Sequence, residues 1–168
     1  MNLIKIYLSK TIENNSNTLK FKIDETNRTA SLIRINDDIQ EAIIPRTIEH
    51  ESVEYLITSI CGTSNNISSN TKKIKFVEDS AVTTVYSYSF LFSKIEEIYF
   101  PTCLKELKDD WIYGAENVKK IIISPMNDQF IMKENKYLLG KSDPNSNEFD
   151  ILLFVNCDIT EISIPLNI

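Results

Sequence analysis

A short pattern of apolar and polar positions recurs along this chain, with the form apolar-x-x-apolar-x-apolar and often a closing proline. It is clearest in Ile95–Pro101 and returns in Val118–Ile123 and in Ile159–Pro165. Two degenerate copies occupy Ile39–Pro45 and Thr71–Phe76. Because apolar residues take every second place at the end of each copy, the pattern predicts one short β-strand per copy, with one face buried.

The copies are evenly spaced. Ile74 and Ile98 are 24 residues apart, and Ile98 and Ile121 are 23 residues apart. A second apolar landmark, 13 or 14 residues before these positions, keeps the same period at Ile60, Val85 and Leu107. A period of roughly 20 to 29 residues is typical of leucine-rich-repeat solenoids. The predicted fold class is therefore mainly β, a short leucine-rich-repeat solenoid with a parallel concave sheet and irregular or short-helical convex turns.

Stacking explains why the repeats need one another. Alternation along a strand places equivalent positions of successive copies on the same face of the sheet. One predicted ladder consists of Ile74, Ile98, Ile121 and Ile162, and a second consists of Phe76, Phe100, Ile123 and Ile164. Since a single repeat cannot bury either ladder, residues 39–168 are predicted to stack as one solenoid.

The N-terminal residues predict a β cap for this solenoid. Apolar and polar residues alternate on both sides of a polar break within Leu19–Ile35, which predicts a hairpin. The first unit of a repeat array has an exposed edge and an apolar face that must be covered. Residues 1–38 are therefore predicted to be an N-terminal β cap that packs with the solenoid as one domain.

The repeat period is interrupted near residues 127–155, where a β-hairpin is predicted as an insertion. Its strands are Phe130–Met132 and Tyr137–Leu139, with a turn at Glu134–Asn135 between them. A further strand is predicted within Phe149–Val155, after a turn-rich loop. The next copy of the repeat pattern then follows.

One stretch resembles a known family. Residues Val82-x-x-Val85-x-x-x-Ser89-Phe90-x-x-Ser93-x-Ile95-x-x-Ile98-x-Phe100-Pro101 match in spacing the BspA-like leucine-rich repeats of bacterial and protist surface antigens. Trp111-Ile112 stands where the family has Ala-Phe, and Asn127-x-x-Phe130 with Tyr137-Leu138-Leu139-Gly140-Lys141 is similar to the family's hairpin. The resemblance covers residues 39–168. It implies a curved solenoid used for adhesion or protein interaction, with no catalytic residues and with display at a cell surface.

Strand alternation identifies the side chains that face outward from the concave sheet. They are Glu41, Ile43, Lys73, Lys75, Glu97, Tyr99, Lys120, Ile122, Glu161 and Ser163. The column Glu41, Lys73, Glu97, Lys120 and Glu161 alternates in charge, so neighbours about 4.8 Å apart can pair. The column is either a charge ladder that supports register and solubility, or the polar rim of a partner-binding face centred on Tyr99 and Ile122.

A dense aromatic set lies beside the predicted turns. Phe90 and Ile112 are predicted to fill the family's phenylalanine position in the core. The remaining rings, Tyr86, Tyr88, Phe92 and Tyr113, are either further core or an exposed patch, and large exposed apolar patches usually mark interfaces. This patch is the alternative site for a protein partner.

Composition narrows the function classes. The 168 residues are 42% hydrophobic, which is enough for one folded domain. The formal charge of -6, from 18 basic and 24 acidic residues, disfavours nucleic acid and anionic membrane surfaces as partners. No apolar run approaches the roughly 20 residues of a membrane-spanning helix, and no signal peptide is recognisable. We therefore expect a cytoplasmic protein, with surface association as the alternative that the family resemblance implies.

The residue types needed for catalysis or metal binding are sparse. Cys61, Cys103 and Cys157 are an odd number without a CxxC spacing, and His50 is the single histidine. The sequence predicts no enzyme activity, no metal and no cofactor. It predicts a non-catalytic protein-interaction or adhesion module. The alternative is a structural self-assembling protein, because the chain ends at Pro165–Ile168 without a polar cap and that edge would suit a homo-oligomer.

Overall fold

The computed structural model describes residues 10–14, 16, 18–61, 67–68 and 70–156. The regular elements in these ranges are all β-strands. The strands are β1 (Lys10–Glu13), β2 (Leu19–Asp24), β3 (Thr29–Ile35), β4 (Glu41–Ile44), β5 (Thr47–His50), β6 (Val53–Ile60), β7 (Lys73–Phe76), β8 (Thr84–Val85), β9 (Glu97–Phe100), β10 (Glu106–Leu107), β11 (Lys120–Ile123), β12 (Phe130–Lys133), β13 (Tyr137–Gly140) and β14 (Ile151–Val155).

The repeat pattern forms a parallel sheet, here called sheet B, with strand order β11-β9-β7-β4. Equivalent positions of neighbouring copies are paired, since Ile98 lies opposite both Ile74 and Ile121. Ala42 continues the same ladder on β4. Four of the five predicted strands are therefore confirmed with their predicted register. The fifth, within Ile159–Pro165, lies outside the described residues.

The inner faces of these strands form the core. Ile74 and Ile98 are fully buried and Ile121 nearly so, as stacking requires. In the next ladder the rings of Phe76 and Phe100 stack with their centroids 6.3 Å apart. Burying each apolar side chain of this size contributes about 1.5 to 3 kcal/mol, so stability depends on the contact between repeats.

A second sheet, sheet A, carries the return strands of each coil. Its order is β1-β2-β3-β6-β8-β10, and the strands from β3 to β10 run parallel. Each coil therefore gives one strand to sheet A and one to sheet B, in the pairs β3 and β4, β6 and β7, β8 and β9, and β10 and β11. The prediction of a mainly β solenoid with a parallel sheet is confirmed, with about four turns.

The N-terminal hairpin is present as β2 and β3, which pair antiparallel. Its strand β3 also pairs in parallel with β6, so the hairpin continues directly into sheet A. Strand β1 adds to the outer side of β2, and β5 pairs antiparallel with the first half of β6. The proposed division into a cap and a solenoid at residue 38 stays a prediction.

The inserted hairpin is also present. Strands β12 and β13 pair antiparallel, and β14 completes a three-stranded sheet C. Glu134 and Asn135 at the turn have φ of 54° and 56°. Positive φ at both central residues is the signature of a type I′ turn, whose twist matches that of the two strands.

A buried amide attaches this hairpin to the solenoid. The Asn127 side chain donates to the carbonyl oxygens of Thr102 and Leu104 at 3.0 and 2.8 Å, with a longer contact of 3.3 Å to that of Pro101. Its own oxygen accepts from the backbone N–H of Phe130 at 2.8 Å. One side chain therefore joins the start of β12 to the turn that follows β9.

In the turn after β10, the residue that fills the core differs from the prediction. Phe90 is fully buried as expected, but Ile112 is only half-buried against the core. The indole of Trp111 is buried instead, with its ring centroid 5.8 Å from that of Phe90 and 5.6 Å from that of Phe100. Trp111 holds the place that the small, fully buried Ser89 has in the preceding turn, so its large indole fills the core space there.

Candidate functional site

The candidate site is the outer face of sheet B, which carries the outward side chains of β4, β7, β9 and β11. The first column is in the predicted register, because Lys73 lies opposite both Glu41 and Glu97, and Glu97 lies opposite Lys120. In the second column Ile43 lies opposite Lys75, and Tyr99 lies opposite Ile122. The structure thus brings together every described residue of the predicted concave site. Glu161 and Ser163 lie outside the described residues.

Tyr99 stands at the centre of this face. Its hydroxyl donates to Oε2 of Glu97 at 2.7 Å, and the Lys73 ammonium lies 3.0 Å from the same oxygen. The ammonium nitrogens of Lys73, Lys75 and Lys120 lie 5.7, 5.5 and 5.8 Å from the centre of the Tyr99 ring. Three cations within about 6 Å of one ring centroid meet the distance criterion for cation–π contacts.

The ion pairs on this face do not all join directly opposite residues, as the predicted column would. Lys73 pairs with Glu97 directly across the strands, but Glu41 pairs with Lys75 along the diagonal, at 2.6 Å. The hydrogen bonds from Tyr99 and then Lys73 lower the pKa of Glu97 below the usual carboxyl value. The hydrogen bond from Lys75 lowers the pKa of Glu41 in the same way.

A third charged column lies beside the first two and was not among the predicted residues. Lys72, Glu96 and Lys119 each occupy the place just before a strand of sheet B. The Glu96 carboxylate lies 3.0 Å from the Lys72 ammonium and 3.3 Å from that of Lys119. The two hydrogen bonds lower the pKa of Glu96. The signal was present in the repeat itself, since these residues hold the same position in successive copies of the pattern.

The described charges on and beside the outer face of sheet B are more basic than the chain as a whole. Among the described residues of the two outward columns and the third column beside them, five lysines accompany three glutamates, whereas the whole chain has a formal charge of -6. The lysines are Lys72, Lys73, Lys75, Lys119 and Lys120, and the glutamates are Glu41, Glu96 and Glu97. Apolar surface adjoins these charges, because Ile43 is 58% exposed and Ile122 is half-buried.

The alternative site, here called the turn patch, consists of Tyr86, Tyr88, Phe92 and Tyr113. These side chains are exposed, at 44%, 46%, 64% and 56%, so they are not additional core. The ring of Tyr113 meets those of Tyr88 and Phe92 edge to face, with centroids 6.2 and 5.9 Å apart. The structure therefore offers two candidate surfaces, one on the outer face of sheet B and one in the turns after β8 and β10.

Cys103 and His50 are two described residues with side chains that could be reactive. The Cys103 thiol donates toward the carbonyl oxygens of Ser80 and Val82 at 2.9 and 3.1 Å, and burial raises its pKa. His50 is half-buried, with Nε2 3.3 Å from a carboxylate oxygen of Glu51. Among the described residues, no three His, Cys, Asp or Glu side chains are grouped as a metal site would require.

Within the same described ranges, no helix is long and apolar enough to cross a membrane. The cytoplasmic location and the surface-associated alternative both stay predictions.

Comparison with known proteins finds no matching family model and no matching curated protein. Three solved structures are similar in fold. The pneumococcal vaccine antigen PcpA has a TM-score of 0.48 and 18% identity, over 71% of this chain and 39% of that one. A leucine-rich cell surface protein from Faecalibacterium prausnitzii has a TM-score of 0.38 and 9% identity, over 79% of this chain and 59% of that one.

The third structure is a leucine-rich repeat protein from Eubacterium ventriosum, with a TM-score of 0.39 and 19% identity, over 79% of this chain and 49% of that one. This chain therefore spans between 39% and 59% of the length of these three proteins. Each likeness is one of fold and says nothing about what this chain binds.

Proposed function

We propose that the chain is a non-catalytic protein-interaction module that binds its partner on the outer face of sheet B. The observation that carries this proposal is the position of Tyr99, a half-exposed aromatic ring among three ammonium groups at 5.5 to 5.8 Å. Binding hot spots are typically aromatic side chains surrounded by polar groups that exclude water. Tyr99 and its lysines have this arrangement.

The ring is also held in place before any partner arrives. Its hydroxyl hydrogen bond to Glu97, and the shared contact of that carboxylate with Lys73, restrict the side chain to one orientation. Binding to an ordered side chain loses less conformational entropy than binding to a mobile one. The network therefore favours recognition over a purely solubilising role for these charges.

The charge of the face indicates the kind of partner. The described charges on and beside this face, five lysines and three glutamates, favour an acidic segment over a basic one. Lys120 is suited to bind an incoming carboxylate, since its ammonium contacts the Tyr99 ring while Lys73 and Lys75 lie in ion pairs with Glu97 and Glu41. We propose an acidic protein segment as the partner for this face.

The experiment places a photo-crosslinking amino acid at position 122, beside Tyr99, and at position 22 as a matched control on an exposed part of β2. A partner that crosslinks at position 122 and not at position 22 is then purified. Its affinity is measured for the intact chain, for Tyr99→Ala and for the charge reversals Lys120→Glu and Lys22→Glu, which change the net charge equally.

We expect Tyr99→Ala to weaken binding about tenfold or more, as loss of a hot spot does. Lys120→Glu should weaken binding further than Lys22→Glu, and the difference should shrink at high salt. Equal affinities for all four proteins, with unchanged thermal unfolding, would remove the outer face of sheet B as the site.

A second candidate function is structural self-assembly, and β14 favours it. This edge strand of sheet C has five consecutive apolar residues, and Ile151 and Leu152 are exposed. Exposed apolar edge strands can pair with another chain. Sedimentation velocity of the intact chain and of Leu152→Lys tests this: an oligomer that the lysine dissociates supports assembly, and a monomer in both contradicts it. The predicted homo-oligomer through Pro165–Ile168 lies outside the described residues.

A further inference from the structure

The turn patch is built on backbone positions that aromatic residues rarely occupy. Tyr88 and Phe92, in the turn after β8, have φ of 60° and 48°. The residues 22 positions later, Asp110 and Gly114, hold the same conformation in the next turn, with φ of 58° and 69°. Aspartate and glycine tolerate the left-handed region, whereas bulky residues are strained there. The turn after β8 thus carries backbone strain that the turn after β10 avoids.

The rings of Tyr88 and Phe92 are also exposed. Phe92 is the most exposed ring of the turn patch, and Tyr88 is nearly half exposed. Their rings therefore gain little from burial that could offset the backbone strain. The backbone strain is thus not offset by burial of the rings, and such outliers are typical of sites kept for function.

Backbone contacts position the rings of the turn patch. One edge of the Phe92 ring lies against Gly114, where an added Cβ would overlap its Cδ1 and Cε1 atoms. The backbone N–H of Phe92 donates to the carbonyl of Tyr113, and that of Tyr88 to the carbonyl of Asp110. These bonds tie the two turns together and hold Tyr113 edge to face against both neighbouring rings.

A carboxylate lies beside these rings. Oδ2 of Asp110 accepts from the Tyr88 hydroxyl at 3.3 Å, and both side chains are exposed. The negative charge of Asp110 raises the pKa of Tyr88. Ring faces are the negative ends of the aromatic quadrupole, so the faces and the carboxylate together attract a cation.

The cation does not come from the described part of this chain. There, lysine ammonium groups lie over the rings of Tyr99 and Phe149, and over none of the turn patch rings. Lys108, the nearest lysine along the chain before Asp110, is paired with Glu106 and interacts electrostatically with Tyr86. Among the described residues, the rings of Tyr88, Phe92 and Tyr113 have no lysine over them, so they are available to a cation from outside.

We propose that Tyr88, Phe92 and Tyr113 form a second binding surface, which takes an arginine or lysine side chain of a basic protein segment with Asp110 as its counter-charge. This surface differs from the outer face of sheet B in both position and preferred charge. The chain would then bind acidic and basic segments at separate places on the same coils.

The test uses two short peptides, one of alternating glycine and arginine and one in which citrulline replaces every arginine. Citrulline keeps nearly the same shape, but a carbonyl oxygen replaces one terminal nitrogen of the guanidinium group, so the side chain loses its charge and two N–H donors. Aromatic proton signals of the labelled intact chain are followed by NMR during titration. We expect the arginine peptide to shift the signals of Tyr88, Phe92 and Tyr113 and to bind more tightly than the citrulline peptide.

The variants Tyr88→Asn and Phe92→Gly separate binding from folding. Both replacements suit the left-handed backbone, so thermal stability should stay equal or rise, while each should weaken arginine-peptide binding about two- to fivefold. Asp110→Asn should weaken it as well. The control Phe149→Ala, which removes a ring outside both proposed surfaces, should leave it unchanged.

The proposal is overturned by any of three results. Equal binding of the arginine and citrulline peptides would show that charge is not recognised. Unchanged arginine binding in both variants would place the contact elsewhere. Loss of stability together with binding would mean that the rings serve the fold. None of these results depends on whether sheet B binds an acidic partner, because that surface is tested separately.

Discussion

The hydroxyl of Tyr99 donates to the carboxylate of Glu97, two residues earlier on the same strand, at 2.7 Å. Residues two apart on a strand share one face, so this bond draws the ring along the sheet instead of letting it point outward. The ring consequently lies within reach of lysines from both neighbouring strands, β7 and β11. A single local hydrogen bond thereby organises the centre of the outer face of sheet B.

The first prediction concerns the acidity of Glu97. Tyr99→Phe keeps the ring but removes the largest cause of the lowered pKa, so the pKa of Glu97 should rise toward its usual value. Because the folded pKa lies below the unfolded one, the stability linked to Glu97 is present above the unfolded carboxyl pKa and lost as pH falls through the folded pKa. As pH falls through the range between these two pKa values, Tyr99→Phe should therefore lose less stability than the intact chain.

The measurement is an NMR titration of the glutamate side-chain carboxyls in both proteins. Glu96 is the internal control, since its pKa is lowered by Lys72 and Lys119 and should not respond to residue 99. A Glu97 pKa that is the same in the variant would show that the hydroxyl bond does not form in solution.

The second prediction tests the stacked core. Ile98→Ala should lower the free energy of unfolding by about 2 to 5 kcal/mol, because Ile98 is fully buried between Ile74 and Ile121. Ile43→Ala, on the exposed face of β4, should change it by less than about 0.5 kcal/mol. Urea denaturation monitored by tryptophan fluorescence measures both. Similar losses in the two variants would mean that the inward and outward faces of sheet B are wrongly assigned.

The sequence predicts sheet B well because two signals agree there. An isoleucine such as Ile98 recurs at a fixed period, and apolar alternation around it marks the buried face. Period and alternation together determine both the strand and its register. The same agreement identifies the charged column and Tyr99 as outward residues before any coordinates are known.

The remaining features leave weaker signals. Strands β8 and β10 have two residues each, so although Val85 and Leu107 recur at the repeat period, no apolar alternation marks them as strands. The diagonal pairing of Lys75 with Glu41 depends on side-chain conformers that spacing does not determine. The burial of Trp111 in place of Ile112 could not be predicted from the spacing, because both equivalent positions of the preceding turn, Ser89 and Phe90, are buried and the pattern does not show which of two adjacent apolar residues fills the core.

The third prediction concerns the attachment of the inserted hairpin. Asn127→Asp removes the amide donor and places a carboxylate against the carbonyl oxygens of Thr102 and Leu104. Leaving buried polar groups unpaired costs about 1 to 3 kcal/mol each, so the free energy of unfolding should fall by about 2 kcal/mol or more. Exposed Asp128→Asn is the matched control, with the opposite exchange one residue away. Equal stability of both variants would contradict the role given to the amide.

The fourth prediction concerns Cys103. Burial raises the pKa of its thiol, and the thiol donates toward two backbone carbonyls, so iodoacetamide should alkylate it more slowly than the same cysteine in the urea-unfolded chain. Mass spectrometry of the digested protein follows the reaction. The rate should rise with pH, because only the thiolate reacts, and equal rates in the folded and unfolded chains would contradict its burial.

The last prediction is a coupling between Gly114 and Phe92. Gly114→Ala places a methyl group within the ring of Phe92 and also puts alanine at φ of 69°, so it should destabilise the fold by about 1 kcal/mol or more. In a Phe92→Gly background the steric part disappears and only the backbone part remains, so the same change should cost less. A double-mutant cycle of unfolding free energies gives the coupling, expected at about 0.5 kcal/mol or above. Additive effects would show that the ring does not rest on the glycine, and the open face proposed for the turn patch would then lack its support.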